Sequence, residues 1–157
     1  MGSGAPATSW LCNRALDALN ARSQAHARRL AEGLKEIRSI LLLRMLENTS
    51  PVYYQYCIRV SDPSTLSRRA IRHGIDLEIM HVDICTKLDL FAPYASACPI
   101  AESTQGTLQL PVYSGLRPKY IDRIVRVIRD VSRDLPPLTM ADVAQATGSI
   151  SEDGSSC

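Results

Sequence analysis

The sequence predicts an α+β domain: a few-stranded, mainly antiparallel sheet with helices packed on one side. Three observations lead there. Apolar residues recur with the 3.6-residue period of a helix at Leu16–Ile37 and again at Ile121–Val131. Between them, Tyr54–Val60 and Ile75–Ile79 alternate apolar with polar residues, as strands with one buried face do. No internal repeat occurs and no proline- or glycine-rich linker divides the body, so the elements belong to one domain.

In chain order, residues 1–9 are small and polar and are expected to be disordered. Leu16, Leu19, Ala27, Leu30, Leu34 and Ile37 then form one apolar stripe of a long helix, expected to face the core, with His26 at its edge and Arg14, Arg22, Arg28 and Arg29 on the other side. Thr8 or Ser9 is suited to cap its start, and Ile40–Leu43 suits a short buried strand. After the turn at Asn48–Pro51 and the strand at Tyr54–Val60, Asp62 and Pro63 offer a cap and a first-turn proline. The helix they start runs through Leu66, Ala70 and Ile71, with His73 favourable to its C-terminus and Gly74 closing it. Ile75, Leu77 and Ile79 make the next strand, followed by a loop, a helix and a strand at Thr107–Leu110.

The last helix runs from about Arg117 to Arg133. It turns Ile121, Ile124, Val125, Ile128 and Val131 inward, and Arg123, Arg126, Arg129 and Arg133 towards water with Asp122 and Asp130. The domain proper therefore spans 10–133. Residues 134–157 read as a mostly flexible tail, in which Thr139 and Asp142 are suited to cap one short helix.

Composition narrows the class. The 157 residues are 45% hydrophobic and 22% charged, as in an ordinary globular protein, and the net charge of +2 comes from interspersed charges. Neither nucleic acid nor an anionic membrane is an expected partner. Five cysteines, odd in number and widely spaced, suggest reduced thiols in a cytoplasm rather than a disulfide framework. The start of the chain has no secretory pattern and no stretch is long and apolar enough to span a membrane, so a cytoplasmic location is expected.

Several stretches also share an order with a known family. Cys98-Pro99-Ile100-Ala101, then Leu110-Pro111-Val112-Tyr113, then a helix of Ile121-Asp122-Arg123-Ile124 type resembles the end of the DegT/DnrJ/EryC1/StrS family, pyridoxal-phosphate aminotransferases that act on nucleotide sugars. Leu16–Arg22 is similar to the helix that follows that family's large domain, Tyr54–Val60 to its Tyr-x-x-Phe-x-Ile-Arg strand, and Arg69–Ile75 to its Leu-x-x-x-Gly-Ile turn. The resemblance implies the C-terminal small domain of a fold-type-I enzyme. A complete enzyme moves an amino group from an amino acid to a keto sugar through pyridoxal phosphate. The resemblance puts the aldimine lysine and most cofactor ligands in the large domain, so this chain is expected to bind no cofactor alone and to be inactive alone. It also implies that the first helix and one sheet face pack on the large domain, which leaves apolar surface around Trp10, Leu11 and Leu19 in its absence.

The residues themselves carry few other signals for chemistry. Lys35 and Lys119 sit on charged helix faces, and Lys87 has no glycine-rich loop to hold a phosphate, so none has the setting of a Schiff-base lysine. His81, Asp83 and Cys85 stand at i, i+2 and i+4, which on a strand aligns three metal ligands or a Cys-His pair, but no fourth ligand or orienting group accompanies them. The plainer reading is a loop leaving the third strand, and no metal is expected. The resemblance makes His81 and Asp83 candidate substrate contacts at the mouth of the active site. A different reading keeps the fold and drops the chemistry: a non-catalytic binding or oligomerisation module that pairs with a complete aminotransferase or with itself.

Overall fold

The computed structural model describes residues 8–43, 48–79, 84–98, 101–102, 104 and 106–139, with side chains in the first helix from Arg14 onward. The elements are α1 (Thr8–Leu34), β1 (Ile40–Leu42), β2 (Gln55–Val60), α2 (Pro63–Arg72), β3 (Glu78–Ile79), β4 (Thr107–Pro111) and α3 (Pro118–Val131). Two short 3₁₀ turns, Cys85–Lys87 and Asp89–Tyr94, lie between β3 and β4. The four strands form one sheet in the order β1-β2-β4-β3, and every pairing is antiparallel. The α+β architecture predicted from the sequence is the one observed.

Register decides which face is core. Tyr56 lies opposite Leu110, Ile58 opposite Leu108, and Ile40 opposite Val60, so all six side chains emerge on one face. That face meets Leu30 and Leu34 of α1, Leu66 and Ala70 of α2, and Ile121, Ile124 and Ile128 of α3 in a single buried cluster. Fully burying each such aliphatic side chain contributes about 1.5–3 kcal/mol. These three helices therefore sit on one side of the sheet.

Arginines join the helices at their ends. The last carbonyls of a helix lack intrahelical donors. Here Arg129 of α3 donates to Gly33 O at the end of α1 (2.9 Å). Arg123 of α3 donates to His73 O at the end of α2 (2.7 Å), and Arg69 of α2 to Val131 O at the end of α3 (2.9 Å). Arg123 and Arg129, expected simply to face water, thus hold neighbouring elements. A bidentate Arg29–Asp122 pair adds a further link between α1 and α3.

Several expectations are corrected. Only the second half of the α1 stripe is core: Ala27, Leu30 and Leu34 are buried, whereas Leu16 and Leu19 are 55% and 45% exposed because the helix outruns the body. Thr8 and Ser9 both lie within α1. Ile71 is exposed, since five residues beyond Leu66 the helix has turned about 140° away from it. The third strand shrinks to Glu78–Ile79, although Ile75 and Leu77 remain buried and Asp76 and Glu78 exposed. His26 is buried rather than at the boundary, its Nδ1 3.4 Å from Val112 O. Trp10 and Leu11 have side chains outside the described set, and so does Asp142. Beyond α3, Leu138 N–H donates to Arg38 O and Ser61 Oγ to Pro136 O, which ties that stretch to the body.

Two glycines have separate reasons. Gly74 has φ +70° directly after α2, where its N–H donates to Ile71 O and the chain turns back to Ile75. At Gly33 α1 and α3 approach closely: a Cβ there would stand 2.5 Å from Val125 Cγ1. Val125 is stiff at χ1. Gly33→Ala should therefore lower stability: overpacking costs about 1–3 kcal/mol, and the ~1 kcal/mol helix preference of alanine offsets only part of it. The double change Gly33→Ala/Val125→Ala should remove the clash, so the two effects should be non-additive in urea unfolding.

Asp62 caps α2 by accepting from Thr65 N–H (2.9 Å). That backbone hydrogen bond, followed by the Thr65 side chain, lowers the Asp62 pKa below its ordinary value. A lowered folded-state pKa stabilises the fold above the unfolded value, about 3.9, and that contribution is lost as pH falls through the folded value. Asp62→Ala should cost roughly 1 kcal/mol at neutral pH. The gap between variant and parent unfolding curves should close below about pH 4.

Candidate functional site

The face of the sheet away from the helices is polar where the other is apolar. Alternation puts Gln55, Cys57 and Arg59 of β2 there, with Thr107 and Gln109 of β4 and Glu78 of β3. Arg59 lies opposite Thr107, and both are buried, at 7% and 6% exposure. Cys57 lies opposite Gln109, which is also paired with Glu78, and Gln55 Nε2 donates to Glu78 Oε2 (2.8 Å). Partial burial raises the Cys57 thiol pKa, so it is a poor nucleophile. A carboxylate and two amides on this surface, with the Arg59 guanidinium buried among them, can orient a polar ligand. They do not make a general acid–base pair.

The connection from β3 to β4 leaves and re-enters the sheet at the Arg59–Thr107 end. Cys85 opens a 3₁₀ turn there and is exposed. His81 and Asp83 themselves lie outside the described residues. Among the described residues no group of three metal-ligating side chains converges.

All three lysines are described. Lys35 Nζ is 2.7 Å from Glu32, whose hydrogen bond raises the lysine pKa. Lys87 Nζ is 3.9 Å from Glu102, and Lys119 Nζ stands 5.4 Å from the centre of the Tyr120 ring. All three are exposed. A lysine that forms an imine needs a desolvated or cation-crowded amine; the Glu32 carboxylate beside Lys35 does the opposite, and Lys87 and Lys119 lie exposed.

The sequence pattern of the DegT/DnrJ/EryC1/StrS aminotransferase family matches residues 13–129. The chain belongs to this family. The fold agrees with solved family structures. DesV of S. venezuelae, solved in complex with a ketimine intermediate, superposes with TM-score 0.70 and 24% identity, over 77% of this chain and 34% of that one. The aminotransferase TlmJ of Streptoalloteichus hindustanus gives TM-score 0.67 and 22% identity, over 75% of this chain and 33% of that one. A DegT/DnrJ/EryC1/StrS aminotransferase of Brucella abortus gives TM-score 0.65 and 23% identity, over 73% and 31%. Comparison with curated protein sequences gives no match. The chain thus spans about a third of the length of the family structures it resembles.

The family implies pyridoxal phosphate, and the residues of this chain do not fit that group. It has three lysines, each exposed and beside a carboxylate or an aromatic ring, so no amine is set to hold the cofactor as an imine. Among the described residues no helix is long and apolar enough to cross a membrane. Sequence reasoning found the strand carrying Arg59 but gave that residue no role, although an arginine in an alternating strand is a visible signal for a polar face.

Proposed function

We propose that this chain serves as the C-terminal small domain of a nucleotide-sugar aminotransferase. A large domain, in the same or another polypeptide, supplies the cofactor lysine. The observation that carries the reading is the family match over residues 13–129, combined with a fold that covers about a third of the aminotransferase chains it resembles. In the assembled enzyme the overall reaction is amino-group transfer from an amino acid to a keto sugar, and the chain's part is to close and shape the site. The 157 residues alone are inactive. The unit that does this work spans 10–133, and its setting is cytoplasmic.

Cofactor trapping tests the reading directly. Mixed with equimolar pyridoxal phosphate and reduced with borohydride, the chain should give no more pyridoxyl adduct at Lys35, Lys87 or Lys119 than an unstructured lysine peptide does. A stoichiometric adduct at one lysine, read by peptide mass, would show that the chain holds its own cofactor site.

His81 and Asp83 are the proposed substrate contacts, on the resemblance and on their place just after β3. As contacts rather than core partners, they should be dispensable for folding. His81→Ala and Asp83→Ala should each change stability by less than about 0.5 kcal/mol. A loss of several kcal/mol in denaturant unfolding would make them structural and withdraw the assignment.

A further inference from the structure

We infer that the groove between the end of α2 and the start of α3 is a binding site for a free α-amino acid with a large apolar side chain. The groove measures about 340 Å³ and lies where the chain turns out of α2 at Gly74, leaves β4 at Pro111 and enters α3. Ile75 and Ile124, both buried in the core cluster, form its base, and the exposed rings of Tyr113 and Tyr120 stand at its rim. Small-ligand sites run from roughly 300 to 1,000 Å³. This one, near the lower end, suits a ligand the size of an amino acid rather than a nucleotide sugar.

Two opposite charges, Asp76 and Arg123, line this groove. They do not pair with each other, and among the described residues neither has another ion-pair partner. Arg123 is nonetheless held in place: its Nη2 donates to His73 O (2.7 Å) and lies 3.2 Å from where a Cβ at Gly74 would stand, so the bare glycine gives the guanidinium room. A guanidinium carries five N–H donors in a planar fork that matches a carboxylate. A ligand that bridges the two charges must carry an anion and a cation close together, as the carboxylate and ammonium of an α-amino acid are. Its direction follows from the neighbours. Arg117 and Lys119 stand 5.0 and 5.4 Å from the centre of the Tyr120 ring and add positive charge on the α3 side. The carboxylate therefore faces Arg123 and the ammonium faces Asp76, while the side chain covers Ile75 and Ile124 beside the tyrosines.

The base of the groove belongs to the core on the helix side of the sheet, away from the polar face that carries Gln55, Arg59 and Glu78. It is therefore a place for a bound effector rather than for a reactant of the proposed amino-group transfer. The inference does not rest on that transfer. Failure to bind an amino acid would overturn it and leave the family role standing, whereas a lysine adduct would overturn that role and leave this site standing.

Titration of the 157-residue chain with L-phenylalanine, followed by amide chemical shifts, should saturate with a Kd of about 1 mM or tighter, as expected of about a dozen heavy atoms in an open groove. Phenethylamine, which lacks the carboxylate, and 3-phenylpropanoate, which lacks the ammonium, should each bind at least about tenfold more weakly. Glycine, which lacks the side chain, should do the same. Asp76→Asn should weaken L-phenylalanine at least about tenfold and leave 3-phenylpropanoate unweakened, and because Asp76 is exposed the fold should be kept. Arg123→Gln should weaken L-phenylalanine and leave phenethylamine unweakened. Where loss of the His73 O contact unfolds that variant, Asp76→Asn decides alone. The proposal is overturned by shifts that do not saturate up to about 10 mM, by binding that Asp76→Asn leaves intact, or by either one-charge analogue binding as tightly as L-phenylalanine.

Discussion

The pairing of β2 with β4 is the constraint from which the rest of the domain follows. It joins Gln55–Arg59 to Thr107–Pro111, two stretches far apart in the chain, and it places both strands at the centre of the sheet. Because side chains alternate, this one register sends Tyr56, Ile58, Leu108 and Leu110 to one face and Cys57, Arg59, Thr107 and Gln109 to the other. A slip by one residue would put Arg59 among the helices. With the register set, β1 and β3 only extend the sheet at its edges, and the helices have a single apolar surface to cover.

The helices then hold one another by polar as well as apolar means. The exchange between α2 and α3 is reciprocal: Arg69 binds the carbonyl at the end of α3 while Arg123 binds the one at the end of α2. Each guanidinium satisfies an acceptor that the helix leaves open and places positive charge at the negative end of its dipole. Arg129 does the same for α1. An arginine-rich outer face on α3 that reads as solvated in the sequence is therefore partly a set of clamps. Periodicity reports that a side chain leaves the core and is silent on whether it meets water or a neighbouring carbonyl.

That distinction runs through what was legible. The strands, the cap at Asp62 and the closing Gly74 follow from alternation, side-chain chemistry and the φ that glycine tolerates. All are local signals; β2, the cap and the glycine are present in the structure, while the third strand is cut to Glu78–Ile79. The extent of the core along α1 is a tertiary property: Leu16 and Leu30 share one stripe, yet only Leu30 is covered, because the sheet and α3 end before the helix does. Burial of His26 against Val112 O likewise depends on a residue far along the chain. The polar sheet face was visible as alternation in β2. The partners that give it a shape, Thr107, Gln109 and Glu78, come from other strands and become neighbours only once register is known.

The lysines carry the argument from structure to role. Membership of an aminotransferase family raises the expectation of cofactor chemistry, but an imine-forming amine must spend time unprotonated. A carboxylate 2.7 Å from Lys35 works in the opposite direction, and Lys87 and Lys119 stand exposed rather than in a closed pocket. What the chain does provide is a rigid sheet with one polar face, whose buried Arg59 and hydrogen-bonded Gln55–Glu78 pair are held in place by backbone register. Such a surface suits the role proposed for the chain, in which it supplies orientation and shape while a large domain holds the reactive group.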